Sequence, residues 1–209
     1  MIHSNYFSDN ADLQQQFHEI VDWNQIITVY ENGFADAAEY KTTQNPRLEM
    51  APASNEEALQ YYAEILQSAG EIAGKYVAQV ARDIDREGLK FENGKVIHPQ
   101  KMIDAINKYR EAGLPPIAFR RQYGGLGLPG VVKAFASELM YRADTSTTIA
   151  MGSMGLAGIL EKHASEEAKQ KWIPKLISEN YCVAMGLSEP DFGSDLPSIR
   201  TKTVQRDGK

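Results

Sequence analysis

Residues 187–195, which read Leu-Ser-Glu-Pro-Asp-Phe-Gly-Ser-Asp, contain the side chains best suited to chemistry in this sequence. Pro190 fixes one backbone angle and Gly193 can adopt a positive φ, so the segment predicts a tight turn. The hydroxyls of Ser188 and Ser194 can bond to the backbone or to a ligand, and successive exposed N–H groups in such a turn bind oxygen-rich or anionic groups. Turn chemistry alone favours a plain β-turn between two strands over a binding site.

The composition is that of a folded globular protein. The chain has 209 residues and a formal net charge of −6, with 43% hydrophobic and 24% charged residues, which excludes a disordered or low-complexity chain. Its one cysteine, Cys182, excludes an internal disulfide, and with only four scattered histidines we expect no metal site.

Charge and hydropathy argue against nucleic-acid and membrane partners. Residues 1–64 hold eleven acidic and two basic residues, so a phosphate backbone would repel the first third of the chain. The uncharged stretch 145–160 is shorter than the roughly 18–20 residues that span a bilayer. The N-terminus shows no secretory signal, and a cytoplasmic protein is the expectation.

The N-terminal half is expected to be helical. Residues 1–53 predict an N-terminal extension made of a short helix and a loop. Ser54 and Glu57 form a capping-box pattern, and apolar residues then recur at helical spacing to Gly88. A helix of about thirty residues is typical of a helical bundle.

Shorter elements follow. A hairpin is expected around Asn93-Gly94. The next helix should end at Gly113 and turn four side chains inward: Met102, Ile103, Ile106 and Tyr109. Another helix resumes near Val132. The stretch 149–160, apolar nearly all round, predicts a helix in the centre of the bundle.

In the last third of the sequence, helical patterns give way to strand patterns. Ser165 opens a further helix, and Pro174 is expected to start a turn or a second helical piece. Residues 181–187 and 199–205 predict two strands. Asp207-Gly208 is a hairpin signal with no returning strand, so the chain is expected to be truncated.

Several motifs, taken in order, resemble the acyl-CoA dehydrogenase family. Ser188-Glu189-Pro190, a variable pair and Gly193-Ser194-Asp195 are similar to that family's Thr-Glu-Pro-x-x-Gly-Ser-Asp signature. Upstream, Tyr123-Gly124-Gly125 resembles a loop between early helices, and residues 163–176 resemble a Glu-Glu-x-Lys…Leu-Pro-x-Leu segment. The resemblance covers about Ser54 to the end of the chain, and the ordered set is far more specific than any one motif.

This resemblance implies a mainly α fold: an N-terminal helical bundle domain at residues 54–180, followed by the first strands of a truncated β domain at 181–209. It implies FAD and an acyl-CoA thioester, whose α-proton goes to a glutamate of a C-terminal bundle and whose β-carbon gives a hydride to flavin N5. It also implies a homo-oligomer at full length and an acceptor such as electron-transfer flavoprotein.

Carried over by position, the resemblance places the cofactor-binding residues at Met185, Leu187, Ser188, Gly193 and Ser194. Leu187 would lie against the isoalloxazine, Ser188 would bond to the polar edge of the ring, and Ser194 would approach the pyrophosphate or the substrate's CoA arm. Glu189 is expected to anchor the turn. No catalytic residue is expected in this chain, because the base would lie beyond Lys209.

The resemblance therefore predicts a chain that is inactive alone and binds FAD weakly or not at all. The acidic N-terminal segment resembles the extra segment of a larger subgroup, which includes enzymes acting on 3-methylthiopropanoyl-CoA. Three alternatives stay open: a non-catalytic helical interaction module, an acyl-CoA oxidase, and a fragment retained as a helical subunit.

Overall fold

The computed structural model describes residues 4–151, 153–178 and 183–206, and helices dominate this part of the chain. The α-helices are α1 (Ala11–Gln15), α2 (Trp23–Tyr30), α3 (Ala35–Thr43), α4 (Asn55–Ile72), α5 (Ala81–Glu87), α6 (Gln100–Glu111), α7 (Gly130–Ala143), α8 (Thr145–Met151), α9 (Ser153–His163) and α10 (Glu166–Ser178). Two short strands, β1 (Lys90–Glu92) and β2 (Lys95–Ile97), separate α5 from α6. The prediction of a mainly α protein is confirmed.

The main core lies where α4 packs against α7. Tyr62 and Leu66 of α4 and Val132 and Leu139 of α7 are fully buried there. Residues before α4 share this core, since the ring of Phe17 lies 6.0 Å from that of Phe135. Burial of such large side chains is the main source of stability in a domain of this size.

The expectation of a short helix plus loop at residues 1–53 was wrong, because α2 and α3 follow α1. The Asp22 carboxylate caps α2 by accepting from the Gln25 N–H at 3.1 Å, and Trp23 and Ile27 are buried on one face of that helix. Gly33 suggested that the helical pattern ends there, but α3 begins two residues later, and apart from Tyr40 its apolar residues are all alanines. The division at residues 53 and 180 stays a prediction.

The capping box at Ser54 is confirmed, but the single long helix to Gly88 is not. Ser54 Oγ accepts from the Glu57 N–H at 3.1 Å, while the Glu57 carboxylate accepts from the Ala53 N–H at 2.8 Å. The helix is interrupted by a π-helical turn at Ala73–Val77. Beside this turn the N-terminal segment crosses α4: the Tyr6 N–H donates to the Gly70 carbonyl at 2.9 Å, and a Cβ on Gly70 would lie 2.7 Å from the Phe7 nitrogen.

The predicted hairpin is confirmed, with Phe91 opposite Val96 and positive φ at Asn93 and Gly94, as a two-residue turn requires. Gly113 ends the helical region with φ of 69°. Of the four side chains expected to point inward from α6, Met102 is buried but Ile103 is 39% exposed, so that prediction was wrong for Ile103. Ala105 takes the inward position instead.

The prediction of a central apolar helix at 149–160 was also wrong. The stretch is divided between α8 and α9, and Ile149 and Ile159 are 63% and 53% exposed. Among the described residues these helices contact α6, α7, α10 and the short helical turn at Pro115–Ala118, and the faces that carry Ile149 and Ile159 stay exposed. The side chains of residues 152–157 lie outside the described part.

Pro174 does not begin a new element, because it lies inside α10. The neighbouring Ile173 and Leu176 are buried with Phe119 and Tyr123 in a second, smaller core. This packing stabilises α10 although Pro174 has no N–H with which to form a helical hydrogen bond.

Neither predicted C-terminal strand is present among the described residues. Residues 183–187 and 199–205 have no strand structure, since an extended segment needs a hydrogen-bonding neighbour to form a sheet and the described part offers none. Tyr181 and Cys182, the first two residues of the first predicted strand, lie outside the described residues.

Candidate functional site

The segment singled out from the sequence forms a closed turn. The Glu189 N–H donates to the Phe192 carbonyl at 2.8 Å, and the Phe192 N–H donates to the Glu189 carbonyl at 3.3 Å. Pro190 and Asp191 form the tip. Two reciprocal backbone bonds fix the turn, and the described residues on either side of it, 183–188 and 193–206, form no strand.

The side chain of Glu189 anchors this turn, as predicted. Its carboxylate accepts from the Arg200 N–H at 2.8 Å and from the Thr201 N–H. These bonds, the one from Arg200 first, lower the pKa of Glu189 below its ordinary value. The Arg200 guanidinium also lies 5.2 Å from the centre of the Phe192 ring. Residues 199–201 therefore fold back onto the turn, which the sequence pattern did not indicate.

The five predicted cofactor-binding residues lie on the two sides of this turn and are all accessible. Met185 and Leu187 are 52% and 42% exposed, and Ser188, Gly193 and Ser194 are exposed as well. A Cβ on Gly193 would lie 3.4 Å from the Ser188 hydroxyl, so the glycine leaves space beside that hydroxyl. The arrangement presents apolar surface next to two hydroxyl groups and open backbone.

The tight fold of the loop before α7 requires glycine at several positions. A Cβ on Gly125 would lie 2.0 Å from the Phe119 carbonyl oxygen, and the Gly127 N–H donates to that same oxygen at 3.0 Å. Gly124 and Gly127 both have positive φ. The loop folds so tightly that side chains at these positions would not fit.

A buried ion pair, missed from the sequence, ties this loop to the N-terminal segment. Arg121 and Glu31 have side chains 3% and 2% exposed, with Arg121 Nη1 and Nη2 donating to the two carboxylate oxygens at 2.7 and 3.0 Å. Arg121 Nη1 also donates to Asp36 at 3.2 Å, and Tyr62 donates its hydroxyl proton to Glu31. Burial alone lowers the pKa of Arg121, but the bonds and charges of Glu31 and Asp36 outweigh it and raise the pKa.

The sequence carried no signal for this pair. Glu31 and Arg121 lie ninety positions apart, and periodicity reports only neighbours within one element. A charged residue in a turn-rich loop is ordinarily solvated.

Neither a metal-binding cluster nor a candidate membrane-spanning helix occurs in the described ranges. No group of three or more His, Cys, Asp or Glu side chains there is placed to hold a metal ion. Within the same ranges no helix is both long enough and apolar enough to cross a membrane.

Comparison with known proteins identifies the family of this chain. Residues 61–180 match the family model for the acyl-CoA dehydrogenase N-terminal domain. The chain is 32% identical over 160 residues to 3-methylmercaptopropionyl-CoA dehydrogenase of Ruegeria pomeroyi, covering 72% of this chain and 27% of that protein. It is 31% identical over 144 residues to mitochondrial isovaleryl-CoA dehydrogenase of Solanum tuberosum, covering 68% and 33%.

A third relative, butyryl-CoA dehydrogenase of Syntrophomonas wolfei, is 32% identical over 130 residues, which are 60% of this chain and 21% of that protein. The chain thus matches no more than a third of the length of these relatives. The region that matches the family model includes most of α4, all of α5 to α10 and the glycine-rich loop, and it ends before the turn at 187–195. The chain belongs to the acyl-CoA dehydrogenase family.

Proposed function

We propose that this chain is the N-terminal part of an FAD-dependent enzyme that introduces an α,β double bond into an acyl-CoA thioester. The observation that carries the proposal is the family match over residues 61–180 together with the open turn that follows it. The named relatives are dehydrogenases, which favours a dehydrogenase over an oxidase.

The turn fits a flavin on its own geometry. Met185 and Leu187 expose apolar side chains that can cover one face of a planar ring, and burying them would be favourable. A Cβ at Gly193 would lie in van der Waals contact with the Ser188 hydroxyl, at 3.4 Å, so the glycine leaves that side of the hydroxyl uncovered. The Glu189 anchor holds the turn from the side of Arg200, which leaves the two serine hydroxyls free to face a ligand.

Each of these residues has a binding role in the proposal. Leu187 and Met185 exclude water from the ring, and Ser188 donates its hydroxyl proton to a polar ring atom. Ser194 donates to a phosphate oxygen of the cofactor or of the substrate's CoA arm. FAD, when bound, supplies the acceptor for the hydride. We assign no proton-abstracting base to this chain, so the residues described here bind and orient.

The substrate, the partners and the compartment are part of the same proposal. The relative from Ruegeria is named for a short thioether acyl group, which supports a short-chain acyl-CoA. The electron acceptor would be electron-transfer flavoprotein or a similar carrier, and the longer protein would be a cytoplasmic homo-oligomer that contributes to fatty acid metabolism.

The test compares the 209-residue chain with the product of the source gene read past the codon for Lys209. We expect the frame to continue, and the longer product to purify with bound flavin and to reduce a dye in the presence of a short acyl-CoA. The shorter chain should do neither. A stop codon directly after Lys209, a longer product without flavin, or acyl-CoA oxidation by the shorter chain would each contradict the proposal.

A further inference from the structure

The hairpin of β1 and β2 is exposed over its whole length. Every residue from Leu89 to His98 is accessible to solvent, and the part of the chain that the structure describes adds no third strand to this sheet. A two-stranded hairpin is marginally stable in water and gains stability from further strands. An open strand edge is also a template for pairing with another chain, so the free edges of this hairpin are candidate interaction surfaces.

The backbone groups at the outer edge of β1 belong to Phe91. Asn93 and Gly94 form the two-residue turn, so the flanking residues Glu92 and Lys95 are a hydrogen-bonded pair. Hydrogen-bonded and non-hydrogen-bonded pairs alternate along an antiparallel ladder, so the N–H and carbonyl of Phe91 point away from β2. Among the described residues, no backbone group outside the hairpin bonds to them. Phe91 therefore presents both a donor and an acceptor to a new strand.

The charges of β1 are complementary to a second copy of the same strand. If two copies pair antiparallel with Phe91 opposite Phe91, the residue before it in one copy lies opposite the residue after it in the other. Lys90 then lies opposite Glu92 twice, once on each side of the two-fold axis. Opposite charges directly across a strand pair are stabilising, and a self-complementary surface is what a two-fold interface requires.

The other edge of the hairpin lacks this complementarity. The same two-fold pairing of β2, centred on Val96, would place Lys95 opposite Ile97 on both sides of the axis. No pair of opposite charges would form there. The charge pattern therefore selects the β1 edge.

The backbone and the apolar side chains suit the same register. With Phe91 opposite Phe91, each residue can donate its N–H to the carbonyl of the other, which makes this a hydrogen-bonded pair. Phe91 and Val96 are 73% and 56% exposed and lie opposite each other within the hairpin. In the combined sheet, ordered β2–β1–β1–β2, the two Phe91 and two Val96 side chains would form one apolar row, which shields surface that the single chain leaves in water.

The present partners of these charges allow the exchange. Lys90 Nζ lies 3.9 Å from the Glu87 carboxylate, and these side chains are 56% and 45% exposed, so this ion pair contributes little. Glu92 lies opposite Lys95 in its own hairpin. In the combined sheet it would lie between that lysine and Lys90 of the second copy.

We propose that two copies of this chain associate through the outer edges of their β1 strands, antiparallel and centred on Phe91. Because β1 has only three residues, the interface is much smaller than the roughly 1,000 Å² of a stable complex. We therefore expect a weak dimer, which forms at about 0.1–1 mM chain. This inference does not depend on the proposed function, since it uses neither the turn at 187–195 nor any residue beyond the chain.

Sedimentation velocity of the 209-residue chain tests the dimer, which should appear as the concentration rises from about 10 µM to about 1 mM. Lys90→Glu should remain monomeric, because glutamates would then lie opposite each other across the axis. The second variant combines Glu92→Lys with Lys95→Glu, which keeps opposite charges within the hairpin, and it should also remain monomeric, because lysines would lie opposite each other across the axis. Lys41→Glu, on exposed α3 surface, changes the net charge as Lys90→Glu does and should dimerise like the unchanged chain.

Mixing the two monomeric variants is the decisive step. A mixed pair brings a lysine opposite a glutamate on both sides of the axis, so an equimolar mixture should dimerise although neither variant does so alone. In the unchanged chain, hydrogen exchange of the Phe91 amide should also slow as the dimer forms. A chain that stays monomeric at about 1 mM, dimers of either variant alone, a mixture without dimers, or a dimer with an unprotected Phe91 amide would each overturn the proposal.

Discussion

The buried pair of Glu31 and Arg121 offers a sharp test of how the N-terminal segment is held. In Glu31→Gln the side chain keeps its shape. Its amide nitrogen, which cannot accept a hydrogen bond, would take the place of the carboxylate oxygen that accepts from Arg121 Nη1 at 2.7 Å in the native chain. Tyr62 also loses its charged acceptor. Removing one partner of a buried pair costs about 3–5 kcal/mol. Because Arg121 keeps Asp36 at 3.2 Å and the Gly127 carbonyl at 2.9 Å, we expect a loss near the lower limit, about 3 kcal/mol.

Thermal and urea unfolding of the purified chain measure this loss. For a chain of this length, about 3 kcal/mol corresponds to a fall in Tm of roughly 6–12 °C. The matched control is Glu71→Gln, which removes an exposed partner of Lys75 on α4 and should change stability by less than about 1 kcal/mol. Equal, small effects of the two substitutions would refute the reasoning, because they would mean that the buried pair contributes no more than a surface pair.

Three further outcomes are expected. Gly127→Ala should destabilise the chain by more than about 1 kcal/mol, because its φ is positive and the new Cβ would lie 2.5 Å from Arg121 Cγ, whereas Gly130→Ala should be nearly neutral by urea unfolding. Gly158→Ala should stabilise by about 0.5–1 kcal/mol, since the position is helical with open space around its Cβ; a loss of Tm would contradict this. The pKa of Glu189 is lowered from 4.5, so its anchor is complete above pH 4.5 and is lost as the pH falls through the lower folded-state pKa. The Arg200 amide signal should follow that titration, and a midpoint above 4.5 would contradict it.

Features fixed by neighbouring residues were predictable from the sequence. The Ser54 cap needs only Glu57 three positions later, and the hairpin turn needs only Asn93-Gly94. The anchor role of Glu189 followed from its place inside the turn. For the cap and the hairpin a local backbone requirement selects the residue type, so the residue type reveals the local structure. The partners of Glu189 were not predictable in this way, because they lie eleven and twelve positions further along the chain.

Features that depend on distant contacts were not predictable. The break in the long helix at Ala73–Val77 lies where residues 4–7 cross α4, a contact that periodicity within the helix does not report. The sequence of α8 and α9 showed that these helices are apolar on most sides, but it did not show which sides pack against the rest of the chain. The apolar run at 181–187 and the alternating residues at 199–205 predicted two strands, but a strand forms only where a partner is present.

The candidate site was likewise predictable only in part. The turn at 187–195 was found from its residue types, and its closed geometry agrees with that prediction. The buried pair of Glu31 and Arg121 was not found, because its two residues lie ninety positions apart in the sequence. The cofactor-binding role of the residues from Met185 to Ser194 stays a prediction.

The most direct test of the central claim is photolabelling of the longer gene product with 8-azido-FAD, followed by mass spectrometry of its peptides. The proposal predicts adducts within residues 183–195, suppressed by excess FAD and reduced in Gly193→Val, where the added side chain would cover the Ser188 hydroxyl. Labelling that FAD suppresses but that falls wholly outside this segment would show that the turn does not bind the flavin.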